Sequence, residues 1–252
     1  MSTLSVCVVT KNEEHNIALC LESVSFADEI IVVDSFSTDN TVAIAKTYTD
    51  KVTQAPYLGC GPQKLRAVAL AKQEWVLILD ADEQVSPQLA TEIQQFIRQD
   101  KYGALEIRFQ SFFLGKAISF GDWHREYHLR LFKRTSAEIV PRLVHFGINL
   151  QGSSKRSVNK ILHYSYPNLD TVLKKINAYS TLGAQQLFND GKKISNLNAI
   201  GHAVAAFVRG FIIKFGFLDG KHGYMLAIMN AQCTYYKYMK LIELRNGAAV
   251  VQ

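Results

Sequence analysis

The stretch Trp75-Val76-Leu77-Ile78-Leu79-Asp80-Ala81-Asp82-Glu83 constrains this chain more than any other. Its five apolar residues show no period-two alternation. That is the pattern of a strand buried on both faces, as in a parallel sheet covered by helices on each side. Three carboxylates then fall within four residues at the carboxyl end. Neighbouring like charges repel, and burying them unpaired is costly, so a core strand has no use for such a cluster. Two readings remain. Ser86-Pro87 is a good N-cap followed by a good first helical residue, so the acids can be a plain turn before a helix. Alternatively they face a hard divalent cation, because Mg²⁺ or Mn²⁺ takes oxygen ligands and keeps waters or substrate phosphates as well. Open α/β sheets bind ligands beyond the carboxyl ends of their strands, where this cluster lies.

The residues before it repeat the pattern. Ser5 to Thr10 reads as a strand, followed by the polar turn Lys11 to Glu14 and a helix through Ile17, Leu21 and Val24. Glu29 to Val33 is a second buried strand with Asp34 at its end, and Ser37 to Thr41 cap a helix reaching Lys46. Lys51 to Thr53 forms a short strand, Gly59 to Pro62 a loop, and Gln63 to Lys72 a helix. This alternation predicts an α/β fold with a doubly wound, mostly parallel sheet. Thr10 to Glu13, Asp34 and Asp80 to Glu83 then share one edge, while Asp39 reads as a helix N-cap. No G-x-G-x-x-G follows the first strand and no Walker A sequence is present. An edge rich in acids and poor in glycine takes phosphates through a metal rather than a glycine cradle.

From Ala104 the character changes to alternation, over 105–109, 129–133 and 158–164, which predicts antiparallel additions around the polar aromatic stretch Gly121 to His128. The last third, from Tyr166, is helical by period. Leu197, Ile200, Val204, Phe207 and Phe211 fall on one face. Arg209, Lys214, Lys221, His222, Lys237 and Lys240 lie among large aromatics. They are either solvated residues of a helical cap or a basic amphipathic surface resting on an anionic leaflet. The longest uncharged runs, Ile194 to Val208 and Gly223 to Tyr236, are shorter than the roughly 20 residues of a spanning helix, so none is expected.

A net charge of +6 suits a phosphate-bearing ligand, a nucleic acid or an anionic membrane. Without a helix-turn-helix, an RNP-like pattern or a zinc finger, nucleic acid is disfavoured. The four cysteines are scattered, with no C-x-x-C pair. Neither zinc nor disulfides are indicated, and a reducing cytoplasm is expected. The first apolar run meets Lys11 and two glutamates at once, which is no signal peptide.

Four segments together resemble family 2 glycosyltransferases of the GT-A fold: Val8 to Glu14, Val32 to Asp39, Gly61 to Lys64 and Trp75 to Glu83. Phe113 to Lys116, Leu129 to Arg134, His163 to Tyr166 and Gly216 to Gly220 resemble a narrower branch, the bacterial lipopolysaccharide inner-core β-1,4-glucosyltransferases. The likeness covers nearly the whole chain in order. It implies a GT-A catalytic domain over 1–165, with a nucleotide-sugar half (1–100) and an acceptor half (101–165), and a helical, membrane-surface extension over 166–252. It also implies a UDP-sugar donor held by Thr10, Asn12, Glu13 and Asp34, with Lys64 reaching the nucleotide or its phosphates. Asp80 and Asp82 match the D-x-D pair: Asp80 serves nucleotide and metal, and Asp82 is the direct ligand of Mg²⁺ or Mn²⁺. The bound metal stabilises charge on the departing diphosphate, and a single displacement inverts the anomeric centre.

The implied reaction carries glucose from UDP-glucose to a lipopolysaccharide or lipooligosaccharide core heptose, at the cytoplasmic face of the inner membrane. Members of the branch often read Val-His-Glu where this chain has Val144-His145-Phe146, and glycine where it has Asp122. The base is therefore sought among Asp122, Glu126 and His145, with Asp122, beside Trp123, taken first. Galactose or N-acetylglucosamine transfer to a capsular or lipid-linked glycan, and a non-catalytic membrane-surface homologue, are the alternatives. Oligomeric state is left open.

Overall fold

A computed structural model describes residues 2–124, 126–140 and 147–247. The elements β1 (Leu4–Thr10), α1 (Ile17–Glu22), β2 (Glu29–Asp34), α2 (Thr41–Ala45), β3 (Val52–Gln54), α3 (Cys60–Leu70) and β4 (Trp75–Asp80) alternate as patterning predicts. β1 lies between β2 and β4 and is parallel to both, with Thr10 opposite Asp34 and Val9 opposite Asp80. This register brings the polar strand ends to one edge. α3 starts three residues earlier than expected. Gly59 takes a φ of 116° just before it, and Pro62 is tolerated in the first turn, where an amide N–H has no intrahelical acceptor.

Beyond β4 come β5 (Glu83–Val85), α4 (Pro87–Gln99), β6 (Ala104–Phe113), β7 (Lys116–Ala117), β8 (Tyr127–Lys133), β9 (Ala137–Val140), β10 (Gly147–Leu150) and β11 (Ser154–Tyr166). Ser86 caps α4 as expected, its Oγ accepting from Leu89 N at 3.3 Å. The main sheet runs β3-β2-β1-β4-β8-β6-β11-β5, and the β9–β10 pair stands apart from it. Three features differ from the sequence reading: the β9–β10 pair, the 13-residue length of β11, and β5. β5 exists only through its antiparallel partner β11, where His163 faces Glu83, and no local pattern announces it.

The chain divides into two compact units, one of residues 1–110 and 125–164, the other of 111–124 and 165–252. In the first, Leu77 and Leu79 pack with α1 and α4 on one face of β4, while Val76 and Ile78 pack with Ala67 of α3 on the other. All four are fully buried. Each such side chain contributes about 1.5–3 kcal/mol, which explains why a run without alternation is needed here.

The second unit holds α5 (Leu169–Asn189), α6 (Asn196–Val208), a π-helical turn (Arg209–Ile213), a 3₁₀ turn (Gly216–Asp219) and α7 (Lys221–Arg245). Segment 111–124, grouped by sequence with the acceptor half, belongs to this unit instead. Phe113 and Ile118 bury against Val172, Ile176, Leu226 and Met229, and Leu114 N donates to Tyr166 O at 2.8 Å. The two-residue turn between β6 and β7 has positive φ at both Leu114 and Gly115 (49° and 79°), as a tight hairpin requires. α6 also departs from expectation. Its helical path continues through Arg209, so residues 196–213 form one stretch that is long and apolar enough, by length and composition, to cross a membrane.

Candidate active site

A cleft of about 350 Å³ opens in the first unit, walled by Thr10, Glu13, Tyr57, Gln63, Asp80 and Asp82 among others. The parallel register thus brings Thr10, Glu13, Asp80 and Asp82 together as the sequence implied. Thr10 is buried, and its Oγ1 finds no hydrogen-bond partner among the described residues. Leaving a buried hydroxyl unsatisfied costs about 1–3 kcal/mol, which a polar group entering the cleft would offset.

Behind the wall the acids are neutralised one by one. Lys64 Nζ sits 2.8 Å from each carboxylate oxygen of Asp80. The Arg130 guanidinium reaches Glu83 Oε1 at 2.6 Å and Asp80 Oδ2 at 3.3 Å, and Glu83 Oε2 accepts from Asp80 N at 2.9 Å. Burial would raise the Asp80 carboxyl, but the Lys64 and Arg130 charges outweigh it and hold it well below the usual carboxylate range. Burial would likewise lower Arg130; Glu83 and Asp80 reverse this and raise it.

The second acid of the pair has a different neighbour. His163 Nε2 lies 3.5 Å from Asp82 Oδ2, and although burial opposes its charged form, Asp82, Glu83 and Asp80 raise the imidazole above its ordinary value. The D-x-D pair is therefore split. Both acids line the cleft, but Asp80, expected to serve nucleotide and metal, has both oxygens against Lys64, whereas Asp82 has an imidazole beside it. Among the described residues no group of three or more His, Cys, Asp or Glu side chains could enclose a metal unaided. The donor set still fits Mg²⁺ or Mn²⁺, which binds through one or two carboxylates and completes its shell with water and substrate phosphate.

Asn12 and Asp34 have structural work instead of a place on the cleft wall. Asn12, at φ 54°, donates its N–H to Ser37 Oγ at 2.7 Å and accepts from Thr38 N at 2.8 Å, tying the loop after β1 to the loop after β2. Asp34 is fully buried and accepts from Ser37 N at 2.8 Å, from Gln54 Nε2 at 3.0 Å, and from the Ser37 hydroxyl. The partner a buried strand-end acid needs is thus supplied by the protein. Glu13 accepts from Asn16 Nδ2 at 2.7 Å.

The base candidates separate sharply. Asp122 lies in the second unit, where Arg209 Nε and Lys214 Nζ approach its Oδ1 at 3.1 and 2.9 Å and Asn230 Nδ2 donates to Oδ2 at 3.3 Å. Burial would raise its carboxyl, but these two cations lower it. Asp122, taken first from sequence, is thus held in ion pairs that give Arg209 and Lys214 a partner within the protein. Glu126, in the first unit, has Oε1 3.0 Å from His128 Nε2. The His128 hydrogen bond lowers its carboxyl against the effect of burial, helped by the charges of His163 and Arg130. His145, like Phe146, lies outside the described residues.

Arg130, His163 and Phe109 carry no role in the sequence reading. Phe109 holds the other two: the Arg130 guanidinium is 5.1 Å from its ring centroid, and the rings of His128 and His163 meet it edge-on at 4.9 and 5.9 Å. Arg130 had a legible signal, since a charge inside a buried strand must be paired. His163 had none, because its partner is far away in sequence.

The model of the family "Glycosyl transferase family 2" matches residues 5–160. An uncharacterised glycosyltransferase of Rickettsia typhi is 34% identical over 97% of this chain and 88% of its own length. The lipopolysaccharide core biosynthesis glycosyltransferase LpsC of Rhizobium meliloti is 26% identical over 93% of each chain. Among solved structures, residues 1–349 of Staphylococcus aureus TarS align over 97% of this chain and 92% of that one, at 16% identity and a TM-score of 0.49.

Proposed function

Because this chain belongs to glycosyl transferase family 2 and has its GT-A fold, we propose that it carries glucose from UDP-glucose to a heptose of a lipopolysaccharide or lipooligosaccharide inner core, with inversion. The likeness to LpsC over nearly the full length supports the acceptor class. The observation that carries the donor reading is the cleft itself, where Asp80 at the end of β4 and Asp82 in the turn after it stand with Thr10, whose hydroxyl has no partner among the described residues. The setting is the cytoplasmic face of the inner membrane, where a soluble nucleotide sugar and a lipid-borne acceptor meet.

In this reading Thr10 and Glu13 contact the nucleotide. Lys64 and Arg130 offset the charge of Asp80 and Glu83, so that a diphosphate is not repelled from an acidic edge. Asp82, with His163 beside it, would hold Mg²⁺ or Mn²⁺. When bound, that ion supplies charge stabilisation to the departing diphosphate. Glu126, kept ionised by His128, takes the proton of the acceptor hydroxyl as its oxygen bonds to the anomeric carbon. The carbon–oxygen bond to the diphosphate breaks on the opposite face, which inverts the configuration.

The test is UDP release from UDP-glucose in the presence of Mn²⁺ and a heptose-terminated core acceptor, run beside UDP-galactose and UDP-N-acetylglucosamine. Acceptor-dependent UDP release confined to UDP-glucose is expected. Preference for another donor moves the specificity, and release with none of them would make the chain a non-catalytic homologue.

A further inference from the structure

α6 wears its side chains inside out. Its buried positions are Ala199 and Ala206, while Leu197, Ile200 and Val204 are 77%, 51% and 57% exposed. A helix of a soluble protein turns its large apolar stripe toward the core. Only 17% of residues 196–213 are buried. The pattern continues past the helix end: Ile212, Ile213, Phe215, Phe217 and Leu218 are all between 46% and 65% exposed. Single exposed apolar residues are ordinary, but a contiguous set marks an interaction surface.

The turn that presents them is built rather than frayed. Gly210, Gly216 and Gly223 close on one another so tightly that a Cβ on Gly223 would lie 1.8 Å from Gly216 O, and one on Gly216 would lie 2.5 Å from Gly210 O. Asp122 clamps Arg209 and Lys214 on either side of the π-helical turn. Asp219 accepts from Ser119 N and Phe120 N at 3.0 and 2.8 Å. The Phe217 ring packs edge-on against Phe211 and Phe215, at 6.3 and 6.1 Å between centroids. A conformation held this firmly keeps its apolar side chains outward.

Charge identifies the occupant. Between Asp190 and Asp219 the chain has no acidic residue, while Lys192 and Lys193 precede α6 and Arg209 and Lys214 follow it. An apolar stripe bracketed by cations matches an anionic bilayer, whose headgroups are negative and whose interior is apolar. A second copy of the chain would set these cations against each other. A spanning helix would draw Arg209 away from Asp122 into hydrocarbon. We propose that the outer stripe of α6 and the turn 212–218 form an interfacial anchor for an anionic membrane. The side chains of the turn enter the acyl boundary, and Lys192 and Lys193 meet lipid phosphates. This goes beyond the sugar-transfer reading, and its test needs no sugar.

The full chain is sedimented with vesicles of phosphatidylcholine alone and of phosphatidylcholine with phosphatidylglycerol. Binding is expected only to the second, released by salt or carbonate. Phe215→Trp, read against the wild-type signal of Trp75 and Trp123, should shift to the blue on binding and be quenched by lipids brominated on their acyl chains. The pair Phe215→Ser and Phe217→Ser should weaken binding by at least about tenfold, with UDP release and thermal midpoint unchanged. Lack of quenching, wild-type binding by the serine pair, or retention through carbonate would overturn the anchor. So would a dimer on gel filtration that the serine pair turns into a monomer. A wild type that binds vesicles but releases no UDP would refute only the sugar-transfer reading.

Discussion

Lys64 Nζ stands 2.8 Å from both carboxylate oxygens of Asp80, and only 2% of the Lys64 side chain is exposed against 32% for Asp80. The pair is therefore asymmetric. Removing the acid takes the paired carboxylate from a buried cation, whereas removing the lysine leaves a partly hydrated acid that still has Arg130 at 3.3 Å. Asp80→Ala should cost about 3–5 kcal/mol of stability, as breaking a buried pair from one side does. Lys64→Met should cost clearly less, and the double variant less than the sum. Urea unfolding of the four proteins measures this. Equal single costs that add would show that the two side chains are uncoupled.

Asp82 should behave differently, because its neighbour is the His163 imidazole rather than the Lys64 and Arg130 cations. Asp82→Ala is expected to keep the wild-type thermal midpoint and lose transfer. His163→Ala should weaken Mn²⁺ binding in the presence of UDP, read by water-proton relaxation. Turnover by Asp82→Ala, or by wild type in excess chelator, would contradict the assignment.

For the base, the two carboxylates should rank by their partners. Glu126→Gln is expected to reduce transfer by roughly 10²–10⁴-fold with UDP affinity unchanged. Asp122→Asn should stay within a few-fold on a soluble acceptor. The opposite order would return the role to Asp122.

Asp122 instead predicts an acid limb in stability. Its folded carboxyl is lowered from the ordinary aspartate value of 3.8. The stabilisation is therefore present above that value and lost as pH falls through the lower folded one. The stability gap between wild type and Asp122→Asn should be constant above about pH 5 and close on further acidification. A gap that widens in acid would mean the carboxylate is not paired in solution.

Two glycines should respond oppositely to alanine. Gly201, within α6, has open space where a Cβ would stand, and Gly201→Ala should stabilise by about 0.5–1 kcal/mol through helix propensity. Gly223→Ala drives a Cβ into Gly216 O, so it should lower the thermal midpoint and weaken vesicle binding with it. Calorimetry and sedimentation on both variants decide the matter, and a neutral Gly223→Ala would mean the turn can open.

What the chain determined locally was the first half of the sheet and the wall of the cleft. Short continuous apolar runs that alternate with helical segments read as strands covered on both faces, and parallel pairing of β1 and β4 then brought Thr10 beside Asp80 and Asp82. The stripe on α6 was equally legible as a period. Which face of it the protein covers was decided only when α7 packed against it, leaving the alanines inside and Leu197, Ile200 and Val204 outside. The same holds for charge. A carboxylate beside a tryptophan looks like a base in sequence, but Asp122 met Arg209 and Lys214 only in the fold. Asp34 found Ser37 and Gln54, and Asp82 found His163 across the β5–β11 pairing. Backbone pattern depends on neighbours a few residues away, whereas the ionisation and task of a side chain depend on whichever distant residues folding brings within a few ångströms of it.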